Sequence, residues 1–101
     1  RHSMLIRLVK MTFQPDQVQN FLALFRERRE NIRHFPGCSY LRLLQADDTT
    51  FFTISHWESK HALETYRSSP FFQDTWASTK RLFAGPPEAW STVEVVENEN
   101  V

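Results

Sequence analysis

The 101-residue sequence predicts an α+β domain of the split βαβ, ferredoxin-like class, a four-stranded antiparallel sheet with its helices on one face. Three observations lead there. Strand-forming apolar residues run along 4–13 and along the two stretches on either side of a polar turn at 46–49. Helical spacing governs two other stretches, 15–33 and 59–82. A last β-rich run, WSTVEVV over 90–96, closes the order strand, helix, strand, strand, helix with a further helical piece, strand.

Each element has a local cause. MLIRLVKMTF (4–13) places Leu5, Arg7, Val9, Met11 and Phe13 on one face, and Ile6 and Leu8 on the other. Apolar groups on both faces make it a central strand. Gln14-Pro15-Asp16 starts a helix, since proline is tolerated in the first turn and aspartate suits the free N–H groups there. Val18, Phe21, Leu22, Phe25 and Ile32 form its apolar stripe, and the mixed charges of RERRE (26–30) read as a solvated face. Phe35-Pro36-Gly37 ends it. Strands are expected at Cys38–Gln45 and Thr50–Trp57, a helix capped by Ser59 through Arg67, and a third helical piece opened by Pro70 through about Leu82. Gly85-Pro86-Pro87 is a loop, and Trp90–Val96 is the final strand.

Length allows one domain, expected over residues 4–97, with Arg1-His2-Ser3 read as an expression remnant and residues 98–101 as a frayed tail. Twelve basic and twelve acidic side chains cancel, which gives no support to nucleic acid or an anionic membrane as a partner. The lone Cys38 cannot form an intrachain disulfide, and with no apolar span or signal peptide visible the expectation is a cytoplasmic protein. Four histidines and one cysteine show no metal-ligand spacing, and the two glycines form no phosphate loop, so no metal and no cofactor is expected. Nine Phe, three Trp and two Tyr are many rings for so small a core, and some are expected in a pocket or against a second subunit. A sheet covered by helices on one side, with Ile6 and Leu8 on the other, implies a homodimer.

The junction Trp57-Glu58-Ser59 with Ala62 and Leu63, the run Ser69-Pro70-Phe71-Phe72 and the turn Phe35-Pro36-Gly37 resemble the antibiotic biosynthesis monooxygenase family, the dimeric α+β barrels. The resemblance spans nearly the whole chain from Met4 and implies an oxygenase, cofactor-free or haem-using, with a pocket between helices and sheet. Haem-degrading members carry an Asn on the first strand, a Trp on the second helix and an axial His. Arg7, Tyr66 and Trp76 stand at those places here, and an indole cannot ligate iron, which disfavours that chemistry. Quinone-forming members hold flat polyphenols with a Trp at the strand end, which Trp57 matches. Thr53 falls near their Asn, and Tyr66 stands roughly where their Tyr does.

The candidate catalytic residues are therefore His56, Tyr66 and Arg7, and the candidate substrate-binding residues Trp57, Trp76 and Phe72. Each has a plainer reading. His56 is a general base, or a hydrogen-bonded histidine at a sheet or dimer surface. Tyr66 deprotonates the substrate or donates a hydrogen bond to a phenolate, or it caps the core beneath the helix; Trp57 stacks a planar ligand, or packs the strand–helix corner. Arg7, a charge on an inward face, holds a ligand anion or pairs with a carboxylate such as Glu94. The leading functional expectation is cofactor-independent oxidation of a small aromatic quinol or polyphenol by dioxygen. The alternatives are a non-enzymatic ligand-binding or stress-related homodimer with the same pocket, and a structural dimer whose pocket its own side chains fill.

Overall fold

The computed structural model describes residues 4–96. Four antiparallel strands, β1 (Leu5–Thr12), β2 (Cys38–Gln45), β3 (Thr50–Trp57) and β4 (Glu88–Thr92), form one sheet in the order β2-β3-β1-β4. Three helices, α1 (Val18–Arg33), α2 (Lys60–Arg67) and α3 (Pro70–Lys80), complete the ferredoxin-like α+β fold. A single 3-10 turn, Pro15–Gln17, carries the expected proline start into α1.

The strand period decides which side chains meet the helices. Arg7 lies opposite Ser55 and Ser91, Val9 opposite Thr53 and Ala89, and Met11 opposite Phe51, all on the helix side of the sheet. Two buried clusters fix the two ends of that side. Met11, Phe13, Val18, Phe21 and Phe51 form one, with Phe13 and Phe21 stacked at 4.0 Å. Ile32, Cys38, Trp57, Leu63 and Tyr66 form the other. Each large apolar side chain so buried contributes roughly 1.5–3 kcal/mol. Between the clusters the sheet offers Arg7, Val9, Thr53, Ser55 and Ala89, mostly short side chains.

Local signals hold the frame. Ser59 caps α2 by accepting from the Ala62 N–H at 3.0 Å. Ser69 caps α3 by accepting from the Phe72 N–H at 3.1 Å, while its own hydroxyl donates to the Tyr66 carbonyl at 2.6 Å. Gly37 takes φ +92° where the chain leaves α1. Arg28 of α1 reaches α3, donating to Thr75 Oγ1 at 2.7 Å and pairing with Asp74 at 3.0 Å.

One expectation requires correction, and the sheet adds one feature of its own. The last strand does not run over Trp90–Val96; it begins at Glu88 and ends at Thr92. Its register on β1 runs from Lys10↔Glu88 to Ile6↔Thr92, and β1 itself begins one residue beyond Ile6. The alternation of Val93-Glu94-Val95 resembles a strand, yet these residues lie past Thr92, the last one paired with β1. Glu94 consequently lies past the sheet and is not the partner of Arg7. The added feature is a bulge: Cys38 faces Trp57 but Tyr40 faces His56, so β2 holds one residue more than β3 there. The expected frayed tail, 98–101, and the leading residues 1–3 lie outside the described residues.

The opposite face of the sheet carries Ile6, Leu8, Phe52, Ile54, Tyr40 and His56 in cross-strand register. Among the described residues no helix packs on it, and Trp90 (45% exposed) and Leu44 (41%) are the large apolar groups most open to water there.

Candidate functional site

A cavity of about 510 Å³ occupies the gap between the two clusters, bounded by the sheet below and by the three helices above. Its floor is the row of short side chains described above. Its walls are aromatic, because the α2–α3 junction places Tyr66, Phe72 and Trp76 on inward turns while β3 ends on Trp57. Phe72 and Trp76, one helical turn apart, stack with centroids 5.9 Å apart and planes 12° apart. Trp57 and Tyr66 stack at 4.8 Å and 28°.

Five of the six sequence-predicted site residues line this one cavity: Arg7, Trp57, Tyr66, Phe72 and Trp76. His56 does not. It lies on the opposite face of the sheet, its ring 4.4 Å from that of Tyr40, because it alternates with Ser55 and Trp57 along β3. The sheet itself separates its imidazole from the cavity.

Trp57 is fully buried, and its indole N–H donates to Ser55 Oγ at 2.9 Å. That hydrogen bond fixes the ring and consumes the indole's only donor. Tyr66 is buried too, and burial first, then the neighbouring Cys38, pushes its phenol well above the ordinary range. It is held protonated near neutral pH, so its hydroxyl is able to donate a hydrogen bond and not to accept a proton. Burial likewise raises the Cys38 thiol, which matches an inert core cysteine.

Arg7 is half-buried on the cavity floor. One of its N–H groups donates to Ser91 Oγ at 2.9 Å. Burial chiefly, and then the charge of Arg67, lower its pKa, while Glu64 acts the other way. A guanidinium so shifted keeps its charge at neutral pH. Among the described residues no carboxylate lies within 4 Å of it. The rim carries Glu64 and Arg67, paired with each other at 3.5 Å and both solvent-exposed, and Gln73, whose amide donates to the Arg67 carbonyl at 2.7 Å.

The sequence did not single out Ser55, Ser91 or the rim. Ser55 had a readable signal, a small polar residue between Thr53 and Trp57 on the inward parity of β3. Ser91 had none, since its position depended on the true start of β4. Among the described residues no group of three or more His, Cys, Asp or Glu side chains is placed to hold a metal ion. No described helix is long and apolar enough to cross a membrane.

The family model for antibiotic biosynthesis monooxygenases matches residues 4–78, the greater part of the chain and all of it that lines the cavity except Thr79, Pro87 and Ala89. The chain belongs to the antibiotic biosynthesis monooxygenase family. No curated protein matches it. Solved structures share the family fold at low identity. An antibiotic biosynthesis monooxygenase is 21% identical with a TM-score of 0.86, over 92% of this chain and 100% of that one. A protein of Mycobacterium tuberculosis is 21% identical with a TM-score of 0.85, over 96% and 100%. One from Pseudomonas aeruginosa is 18% identical with a TM-score of 0.83, over 94% and 97%. At these identities the likeness concerns the fold of this family member, and its chemistry is argued from its own residues.

Proposed function

We propose that this member of the antibiotic biosynthesis monooxygenase family is a homodimeric, cofactor-independent oxygenase acting on a small, electron-rich aromatic such as a quinol or polyphenol. The observation that carries the reading is an open aromatic cavity with a charged, carboxylate-free Arg7 on its floor. Its volume lies in the range of small-molecule sites, and its walls suit a flat ring.

In this reading the ring enters among Trp57, Tyr66, Phe72 and Trp76. Arg7 favours the substrate's ionised form, as a fixed positive charge in a poorly hydrated site does. The substrate anion then supplies the electron to dioxygen. Tyr66 donates a hydrogen bond to a substrate oxygen. The proton leaves through the rim, where Glu64 stands, because neither His56 nor the protonated Tyr66 is placed to accept it. The homodimer follows from the uncovered sheet face bearing Ile6, Leu8, Phe52 and Ile54.

The same lack of a poised base favours a second reading, a dimer that binds the aromatic anion without turning it over. Oxygen uptake with a panel of hydroquinones divides the two. The oxygenase reading expects consumption above the protein-free rate for at least one of them. Rates equal to the protein-free control across the panel, with the compounds bound, leave only the binding reading.

A further inference from the structure

We propose that Arg7 anchors a carboxylate borne by the aromatic ligand itself, so that the cavity selects hydroxyaromatic acids over the corresponding neutral phenols. This deepens the reading of the same cavity given above and rests on it.

The argument begins with the cross-strand neighbours of Arg7. On the helix side of the sheet it stands between Ser55 and Ser91, forming one polar row across three strands. The adjoining row is Thr53, Val9 and Ala89, and the next is Phe51 and Met11. The floor is thus polar at one end and apolar at the other. A charge partly withdrawn from water is stabilised by a partner of opposite sign. Here both cross-strand neighbours are serines, and Glu64, the one acid lining the cavity, pairs with Arg67 instead.

The guanidinium has five N–H donors in a planar fork, and Ser91 takes one of them. Such a fork matches the two oxygens of a carboxylate better than the single oxygen of a phenolate. The Arg7 row and the Met11 row stand four strand residues, about 13 Å, apart, and the packed cluster of Met11 closes the apolar end of the space between them. The acid would sit on the polar row with the ring running towards Phe21 and Trp76, which also line the cavity.

The test is an anaerobic titration of tryptophan fluorescence with two probes, a naphthohydroquinone and its ring carboxylate, on the native chain and on Arg7→Gln. The native protein is expected to bind the acid at least about tenfold more tightly than the diol, as charge-assisted bidentate bonds allow. Arg7→Gln is expected to remove that preference, weakening the acid at least about tenfold more than the diol. Should the variant fail to fold, raising the ionic strength on the native protein reads the same contact, weakening the acid selectively. Equal affinity for the two probes, a preference that survives Arg7→Gln, or a salt response shared by both would overturn the carboxylate anchor and leave the aromatic-cavity reading standing. Failure of both probes to bind would remove both.

Discussion

Gly37 is packed onto Ala62 so closely that a methyl group on Gly37 would lie 2.5 Å from the Ala62 Cβ. The glycine also holds φ +92°, where a side chain is strained. This contact joins the end of α1 to the first turn of α2, and the Gly37 carbonyl accepts from the Glu58 N–H at 2.9 Å in the same corner. It explains two parts of the sequence signature together: the glycine after Phe35-Pro36, and the small residue three positions after Ser59.

Gly37→Ala should therefore destabilise the fold by roughly 2 kcal/mol or more, read from urea unfolding, since it adds both backbone strain and a clash. Adding Ala62→Gly should recover only part of the loss, because it relieves the clash and not the dihedral. Full recovery would mean that φ costs nothing at this position.

Trp57→Phe should cost about 1–3 kcal/mol, because it leaves the buried Ser55 hydroxyl without its indole donor and shrinks the stack on Tyr66. Thermal unfolding followed by circular dichroism measures it. A variant as stable as the parent would show that the Ser55 bond adds nothing.

Asp47 gives a pH dependence with a definite sign. Its carboxylate accepts from the Thr49 and Thr50 N–H groups at 3.0 and 2.8 Å in the β2–β3 turn, and those bonds hold its pKa below the ordinary 3.8. A depressed acid contributes stability that is fully present above the unfolded-state pKa and is lost as pH falls through the folded one. Asp47→Ala should thus be less stable than the parent at pH 6, with the gap closing below about pH 3.8. Denaturant midpoints across that range provide the check, and a gap that widens in acid would contradict it.

The bare sheet face makes its own prediction. Ile54→Arg places a charge amid Ile6, Leu8 and Phe52 and should yield monomers by sedimentation, with the cavity-side stability preserved. A native chain already monomeric at micromolar concentration would remove the homodimer from the account.

Most of the frame was legible because its causes are local. The cap at Ser59, the proline start of α3, the stop at Gly37 and the strand period of β1 and β3 each act within a few residues. The β2 bulge and the end of β4 depend on a partner strand, which no window of sequence contains. The site divides the same way. Arg7, Trp57, Tyr66, Phe72 and Trp76 could be gathered because parity and helical spacing turn them inward. His56 was assigned chemistry by residue type, although its own parity with Phe52 and Ile54 already placed it on the far face. The Ser55–Arg7–Ser91 row was hidden, since it forms only when three strands come into register.

The most direct test of the cavity's role fills it. Thr53 lies on its floor, and Thr53→Phe would occupy the space a substrate ring needs. With a hydroquinone that the native protein oxidises, the account predicts oxygen uptake above the protein-free rate for the native chain and background uptake for a folded Thr53→Phe. Equal rates for the two would contradict it and place the chemistry elsewhere on the molecule.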